Sequence, residues 1–324
     1  MITIEQYDAA ETEAIKRLTY PAIRGFKPVA FTIANFPTRI TAERELLRYS
    51  DCMHELADRQ RFYETECYSR DEASMIIEIS REVEELTAAR FGAPTRPFMS
   101  LFPPLLVLRA IHHLTTNRTA TIWEIGPGSG YLGAYIVRST PHRYRAVDNT
   151  QSLYLWQDRF FGHIANGSYR NCASASIMPD DIPEKAASIP WWLYADLYRT
   201  PPRADIVICD AAMGEMDPFA ANYVIRLARE MLKNSPIGAF IFQNIGEQRI
   251  NSMDYIEQKF SSAGFQKSQT PTVTIHSLKS IYLPEEFAPI GDPSDMKPAK
   301  DFLAIDKTKL LESYDFFDFI KLRG

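Results

Sequence analysis

The chain has 324 residues, of which 45% are hydrophobic and 24% are charged, and its formal net charge is −5. Its length exceeds that of one typical domain, and its apolar content is sufficient for a sizeable core. Proteins that grip DNA or RNA need a basic footprint. A negative net charge without any Lys/Arg run therefore predicts no nucleic-acid partner.

The amino-terminal stretch and the cysteines bear on location. The first residues, MITIEQYDAAETEAIKRL, are polar and acidic, which is not the pattern of a signal peptide. No run approaches 18 apolar residues, so no membrane span and no membrane partner is predicted. Because Cys52, Cys67, Cys172 and Cys209 form no CxxC pair, we expect neither a zinc knuckle nor a disulfide framework. Reduced thiols in a cytoplasmic protein are expected instead.

Residues 1–100 carry helical patterns and almost no strand signal. Ser69 and Glu72 match a capping box, in which each side chain satisfies a free N–H group at a helix start, and Gly92 marks the end of that helix. Between them, apolar residues recur at helical spacing: Met75, Ile76, Ile79, Val83 and Leu86. Residues 43–62 are also predicted to form an amphipathic helix, with Leu46, Leu47 and Met53 in the core. We predict a helical unit over residues 1–100 that caps the remainder of the chain or forms a homodimer.

Short apolar runs alternate with helical patterns after Leu114. The runs are Thr121–Ile125, Tyr144–Val147, Asp205–Cys209 and Ile237–Gln243, and helical patterns follow at Tyr131–Arg138, Ser152–Phe161, Asp217–Lys233 and Ser252–Ala263. This alternation predicts an α/β fold with a doubly wound, Rossmann-like, mostly parallel sheet over residues 101–290. Two further runs without an intervening helix, Phe265–Thr270 and Val273–Leu278, predict a terminal antiparallel pair. Residues 291–324 form a predicted tail that packs near the site or on the core.

The stretch of 54 residues between Asp148 and Arg203 is longer than two short elements require. We place the third strand near Cys172–Ile177. Asp180 or Asp181 is then a candidate for contact with a ligand amino group. Aromatic residues in the same stretch could line a pocket or pack in the core: Trp191, Trp192 and Tyr194.

Four of the chain's 14 glycines fall within residues 126–133, directly after the apolar run Thr121–Ile125. Two ligand patterns fit this loop. Gly128, Gly130 and Gly133 match the GxGxxG pattern of dinucleotide-binding proteins, whose glycines serve a pyrophosphate. Glu124, Gly126, Gly128 and Gly130 form a second frame that begins at the strand end. A carboxylate inside the loop suits a cationic ligand and repels a pyrophosphate, so the second frame is favoured.

The second frame resembles the first motif of class I S-adenosylmethionine (SAM)-dependent methyltransferases, an acidic residue followed by GxGxG. This resemblance covers residues 119–283 and implies SAM as cofactor, with the glycine backbone against its methionine part. It also implies that the acid at the end of the second strand holds the ribose hydroxyls, a place that Asp148 occupies 18 residues after Gly130. Tyr131 and Asn149, next to these positions, complete the predicted cofactor residues together with Asp210. A fainter resemblance joins the chain to bacterial proteins labelled as sugar O-methyltransferases.

The methyl acceptor is predicted to be a small molecule with a hydroxyl group, such as a sugar. Removing the proton of a hydroxyl requires a base or a metal. Glu215 and Asp210 follow the fourth strand and are the candidate bases, with His276 as a further candidate. No HxH or His/Asp cluster stands out, so no metal is predicted. Three alternatives stay open: an N-methyltransferase of a small metabolite, an NAD(P)-dependent oxidoreductase that uses the GxGxxG frame, and a SAM-binding protein without catalysis.

Overall fold

A computed structural model describes residues 1–26, 38–51, 61–97, 99–178, 181–210, 212–243 and 250–302. Its strands are β1 Cys67–Tyr68, β2 Thr121–Ile125, β3 Arg143–Asp148, β4 Tyr169–Asn171, β5 Ala186–Pro190, β6 Ile206–Ile208, β7 Ala239–Phe242, β8 Gln266–Gln269, β9 Thr274–Ser277 and β10 Lys297–Pro298. Its helices are α1 Ile4–Ile15, α2 Tyr20–Phe26, α3 Arg70–Phe91, α4 Pro103–Leu114, α5 Tyr131–Ser139, α6 Gln151–Ile164, α7 Trp191–Tyr194, α8 Pro218–Leu232 and α9 Met253–Ser262. Among these described residues, no helix is both long and apolar enough to cross a bilayer.

The main sheet has eight strands in the order β4-β5-β3-β2-β6-β7-β9-β8. The strands from β4 to β7 pair in parallel, whereas β9 pairs antiparallel with both β7 and β8. The predicted α/β class is therefore confirmed, including the terminal antiparallel pair. The chain proceeds from β2 outward to β3 and then crosses to β6 on the other side of β2. A ligand of a doubly wound sheet binds at such a reversal, above the carboxyl ends of the strands.

The predicted third strand is wrong. Residues 172–178 are turns and bends, and the strand that pairs with β3 is β5, with the edge strand β4 beyond it. The sequence of β5 begins Ala186, Ala187 and Ser188, which are weak strand formers and give no strand signal. All five β5 residues are buried, so burial between helices, rather than intrinsic preference, makes this segment a strand.

The long helix of the first third is confirmed. Ser69 Oγ accepts the Glu72 N–H at 3.1 Å, while Glu72 Oε2 accepts the Ser69 N–H at 3.0 Å. Gly92 ends the helix in the left-handed region, with φ 65°. The five apolar residues predicted for its core side are buried: Met75, Ile76, Ile79, Val83 and Leu86. The caps thus set the ends of α3, and its apolar stripe sets the face that is buried.

The predicted amphipathic helix over residues 43–62 is only partly correct. The described residues form a 3₁₀ helix at Glu43–Tyr49, followed by bends at Ser50 and Asp51. The Glu45 carboxylate accepts the N–H groups of Thr41 and Ala42, which tightens this turn. Leu46 is buried and Leu47 is half-buried, whereas Met53 lies outside the described residues.

The amino-terminal helices and the tail pack on different parts of the sheet domain. The α1 helix contacts α7 beside the carboxyl end of β5, and the Ile2 N–H donates to Asp158 on α6 at 2.9 Å. In contrast, β10 pairs with β1, and the Ile290 N–H donates to Glu72 of α3 at 3.0 Å. Residues 290–302 therefore pack on the helical region, and residues 303–324 of the predicted tail lie outside the described part of the chain.

Candidate functional site

The glycine loop after β2 adopts a backbone that requires glycine. Gly126, Gly128 and Gly130 all have positive φ, at 72°, 57° and 82°. A Cβ on Gly126 would lie 3.0 Å from the Ala212 Cβ, and one on Gly130 would lie 3.0 Å from the Phe161 ring. A Cβ on Gly128 would have no heavy atom within 4 Å. The loop is thus packed at both ends and leaves space for a ligand against the backbone of Gly128.

Gly133, which belongs only to the dinucleotide frame, has a packing role in α5. A Cβ at this position would overlap the rings of Tyr144 on β3 and Phe161 on α6. Glycine is therefore needed here for close contact between helix and strand. The last glycine of the dinucleotide pattern has the same packing role, so Gly133 is compatible with both frames.

Glu124 lies directly beneath the loop, 5% exposed, and its Oε2 accepts a hydrogen bond from the Tyr144 hydroxyl. Burial, with smaller contributions from the charges of Asp210 and Asp148, raises the pKa of Glu124 to about 8 against the opposing effect of the Tyr144 hydrogen bond. The groups whose charges act on Glu124 are thus other acids. A cation placed at the loop would favour the ionised carboxylate and recover this cost.

Asp148 ends β3 and is 3% exposed. Its Oδ1 accepts the N–H and the hydroxyl of Thr150, both at 2.9 Å, and its Oδ2 accepts Gln157 Nε2 at 2.9 Å. The same Gln157 Nε2 also donates to the Gly128 carbonyl at 2.8 Å, which joins the acid to the glycine loop. Burial raises the pKa of Asp148 to about 6 against these hydrogen bonds. The neighbouring Asn149 is exposed.

Asp210 and Glu215 follow β6 on the other side of β2. Asp210 Oδ1 accepts the Gln243 N–H at 2.9 Å, which links the ends of β6 and β7. Glu215 is half-buried in the turn that follows. Burial raises the pKa of Cys209 well above its usual range, and the charges of Asp210, Glu124 and Glu215 contribute to that rise. Glu124, Asp148, Asp210 and Glu215 thus gather at one edge of the sheet, which we name the strand-end site.

His276 and the side chain of Tyr131 are not part of the strand-end site. His276 lies within β9, 2% exposed, with its ring centroid 3.9 Å from that of Phe260, and burial lowers its pKa to about 4. It is a core residue beneath α9. The Tyr131 hydroxyl donates to the Ser50 carbonyl, and its ring packs 5.5 Å from that of Phe160. Only the backbone of Tyr131, at the start of α5, is placed for a cofactor.

The long insertion supplies buried aromatic residues directly after β5. Trp191, Trp192 and Tyr194 are buried directly after β5. Asp181 is exposed and lies five residues before β5, hence at the opposite edge of a parallel sheet, so its predicted ligand contact is wrong. Asp180 lies outside the described residues.

Gln157 and Tyr144 are site residues that sequence reasoning missed. Tyr144 stands between Arg143 and Arg145 in β3, so its neighbours give no signal. Gln157 follows the largely apolar stretch LYLW of α6. A polar side chain on an otherwise buried face needs a partner, and this was the available signal. Its partner is in both cases an acid of the strand-end site.

Among the described residues, one cluster with metal-ligand chemistry occurs elsewhere, where α3 meets α6. Ligand atoms of Glu82, Glu85 and His163 lie within 4.8 Å of one another. The Arg138 guanidinium forms an ion pair with Glu82. A cation of the chain itself therefore occupies part of this cluster, which is separate from the strand-end site.

Comparison with known proteins gives similarity only at the level of solved structures. No protein family and no curated protein matches the chain. A TehB-like SAM-dependent methyltransferase from Corynebacterium glutamicum is 13% identical, with a TM-score of 0.38, over 64% of this chain and 99% of that one. A ribosomal protein L11 methylase from Lactobacillus delbrueckii is 15% identical, with a TM-score of 0.34, over 53% and 77%.

A third similar structure is the magnesium protoporphyrin IX methyltransferase of Synechocystis with bound SAM. It is 12% identical, with a TM-score of 0.37, over 74% of this chain and 99% of that one. At these values the matches do not decide the cofactor or the acceptor.

Proposed function

We propose that the strand-end site binds SAM and that the protein transfers its methyl group to a small acceptor. The observation that carries the proposal is the buried Glu124 beneath a loop of three left-handed glycines, with two further acids nearby. A pyrophosphate would add negative charge to this group of acids, whereas a cationic ligand would relieve their repulsion. Asp148 stands one strand away, where a carboxylate can accept hydrogen bonds from ribose hydroxyls.

Bound there, SAM supplies a methyl group that is already activated by its positively charged sulfur. The chain's own task is to align the acceptor with this methyl group and to exclude water. The glycine loop and Asp148 fix the donor end. We expect the half-buried turn around Glu215, on the other side of β2 from Asp148, to shape the acceptor end.

For the acceptor we propose a hydroxyl of a small molecule such as a sugar, with Glu215 as the base. Asp210 already accepts the Gln243 N–H, which gives its carboxylate a structural role between β6 and β7. Glu215 is half-buried on the turn beside it and can exchange its proton with solvent. A positioned base contributes about 10²–10⁴-fold to such a reaction.

The proposal is tested by incubating the protein with methyl-labelled SAM and pools of small hydroxylated and amino compounds. We expect label in a hydroxylated product, and Glu215→Gln should lower kcat by about 10²-fold or more with little change in KM for SAM. Asp210→Asn is the comparison variant, with a smaller loss in kcat. Label in amino compounds alone would contradict O-methylation, and no transfer to any acceptor despite SAM binding would indicate a SAM-binding protein without catalysis.

A further inference from the structure

Tyr7 of α1 has a buried hydroxyl that finds no hydrogen-bond partner among the described residues. The residue is 0% exposed, and its Oη is among the buried polar atoms that no other group satisfies. Its ring is held between Tyr154 of α6, at a centroid distance of 5.1 Å, and Trp192, at 5.0 Å. An unpaired buried hydroxyl is costly, and a native structure seldom retains one without a reason.

The Tyr7 side chain packs between two elements that lead to Asp148, the acid of β3. Trp192 follows β5, whose last residue, Pro190, is paired with Asp148. Tyr154 lies one helical turn before Gln157, which donates to Asp148. The charge of Asp148 adds to the effect of burial in raising the pKa of Tyr7. Contacts from three elements therefore place the end of Tyr7 in the neighbourhood of Asp148.

A second unsatisfied atom belongs to the same place. Gln157 is 0% exposed, and both hydrogen bonds of its side chain are made by Nε2, to the Asp148 carboxylate and to the Gly128 carbonyl. Its Oε1 has no partner within the part of the chain that the structure describes. Because both bonds of Nε2 go to acceptors, the orientation of the amide is fixed, and Oε1 is a free acceptor next to the glycine loop.

The position of Tyr7 is well anchored. Thr3 and Gln6 form a capping box at the start of α1. Farther along, Glu11 accepts the Trp191 Nε1–H at 2.8 Å, and Arg39 forms an ion pair with Glu11. The helix is thus clamped to the segment after β5, and the Tyr7 hydroxyl is not at a fraying end.

We propose that Tyr7 and Gln157 form, together with Asp148, a nucleoside subsite in which the Tyr7 hydroxyl and Gln157 Oε1 hydrogen-bond the ribose hydroxyls of the bound cofactor. This inference rests on the proposed function and extends it to the helical first third of the chain. A ribose offers two hydroxyl groups, each donor and acceptor, which match the two unpaired atoms. The α1 helix is then part of the cofactor site rather than only a cover.

The test is calorimetric titration of Tyr7→Phe with SAM, with S-adenosylhomocysteine and with its 2′-deoxy and 3′-deoxy ribose analogues. We expect about tenfold weaker binding of both intact ligands, as one neutral hydrogen bond is lost. One of the two deoxy analogues lacks the ribose hydroxyl that is proposed to bond Tyr7. This analogue should bind wild type and Tyr7→Phe with equal affinity, because it cannot form the bond with either protein.

Tyr68→Phe is the matched control. Tyr68 is also 0% exposed with an unpartnered hydroxyl, but it lies on β1 against Phe102 and Arg109. Both variants should melt at or above the wild-type temperature without ligand, since each removes an unsatisfied hydroxyl. Only Tyr7→Phe should weaken ligand binding.

Two results are distinguishable. If wild type binds SAM and Tyr7→Phe binds it with unchanged affinity, the subsite is refuted while the proposed function stands. Full additivity between the loss from Tyr7→Phe and the loss from each deoxy analogue would likewise refute the subsite alone. If wild type does not bind SAM or S-adenosylhomocysteine, the proposed function and the subsite are both refuted.

Discussion

Two buried carboxylates have opposite electrostatic surroundings: Glu72 in the helical region and Glu124 beneath the glycine loop. Glu72 is 0% exposed and receives bonds from Arg109 at both oxygens, each at 2.7 Å, and from the N–H groups of Ser69 and Ile290 at 3.0 Å. Glu124 receives the Tyr144 hydroxyl, and its charged neighbours in the strand-end site are acids.

This difference indicates a structural role for Glu72 and a ligand-binding role for Glu124. The chain itself neutralises Glu72, and in doing so joins α3, α4 and the tail at Ile290. At Glu124 the chain provides burial and repulsion, which raise the free energy of the ionised carboxylate. A site that is costly when empty and favourable when filled by a cation is expected for ligand binding rather than for stability.

The largest expected effect is on stability, from Glu72→Gln. This change leaves Arg109 buried without its counter-charge, so the free energy of unfolding should fall by about 3–5 kcal/mol. Chemical denaturation monitored by circular dichroism measures it. The affinity of the folded fraction for SAM should stay unchanged. A loss below about 1 kcal/mol would contradict the structural role of the pair.

Glu124→Gln should have the opposite effect on the empty protein. Because it removes a buried acid next to other acids, the free energy of unfolding should rise, by roughly 1–3 kcal/mol near neutral pH. Binding of SAM should weaken by about 10–100-fold, the value of a charged contact of about 1.5–3 kcal/mol. Denaturation and titration calorimetry on the same sample test both signs. If Glu124→Gln were less stable than wild type and bound SAM with full affinity, Glu124 would have a structural role like that of Glu72.

The pH dependence of stability provides a third distinction. The pKa of Glu124 is raised by burial from 4.5 to about 8, so the folded protein holds a proton that the unfolded chain has lost in this range. The stability of the empty protein should therefore fall as pH rises from about 4.5 to about 8. Asp148, raised to about 6, adds to the fall at its lower end.

Melting temperatures measured at intervals between pH 5 and 8.5 test this trend. Glu124→Gln should flatten it. The gain in melting temperature on addition of SAM should increase over the same range, because the cationic ligand favours the ionised form. A melting temperature that rises towards pH 8 in wild type, or an equal slope in Glu124→Gln, would show that Glu124 is ionised in the empty protein.

The smallest effect on stability is expected from a pair of glycine variants. Gly128 and Gly92 both have positive φ, and a Cβ on either would have no heavy atom within 4 Å. Gly128→Ala and Gly92→Ala should each cost about 1–2 kcal/mol of backbone strain. Only Gly128→Ala should reduce SAM binding, because its methyl group enters the space of the ligand. Equal binding by the two variants would place the ligand elsewhere.

Local patterns made much of this architecture predictable from sequence. The caps of α3, the apolar runs of β2, β3, β6 and β7, and the acid and glycines of the loop all lie within short windows. The pairing of Glu72 with Arg109, 37 residues later, has no local signal. Nor does β5, whose alanines become a strand only through burial. Tyr7 was unrecognisable for the same reason, because its neighbours lie about 150 and 185 residues away.

The most direct measurement is a calorimetric titration of wild type and Glu124→Gln with SAM and with NAD⁺ at pH 8. Wild type should bind one SAM and no NAD⁺, and Glu124→Gln should bind SAM about 10–100-fold more weakly. Binding of NAD⁺ by wild type, and tighter binding of NAD⁺ by Glu124→Gln, would contradict the account. These results would place a pyrophosphate against the glycine loop, where Glu124 is proposed to favour a cation.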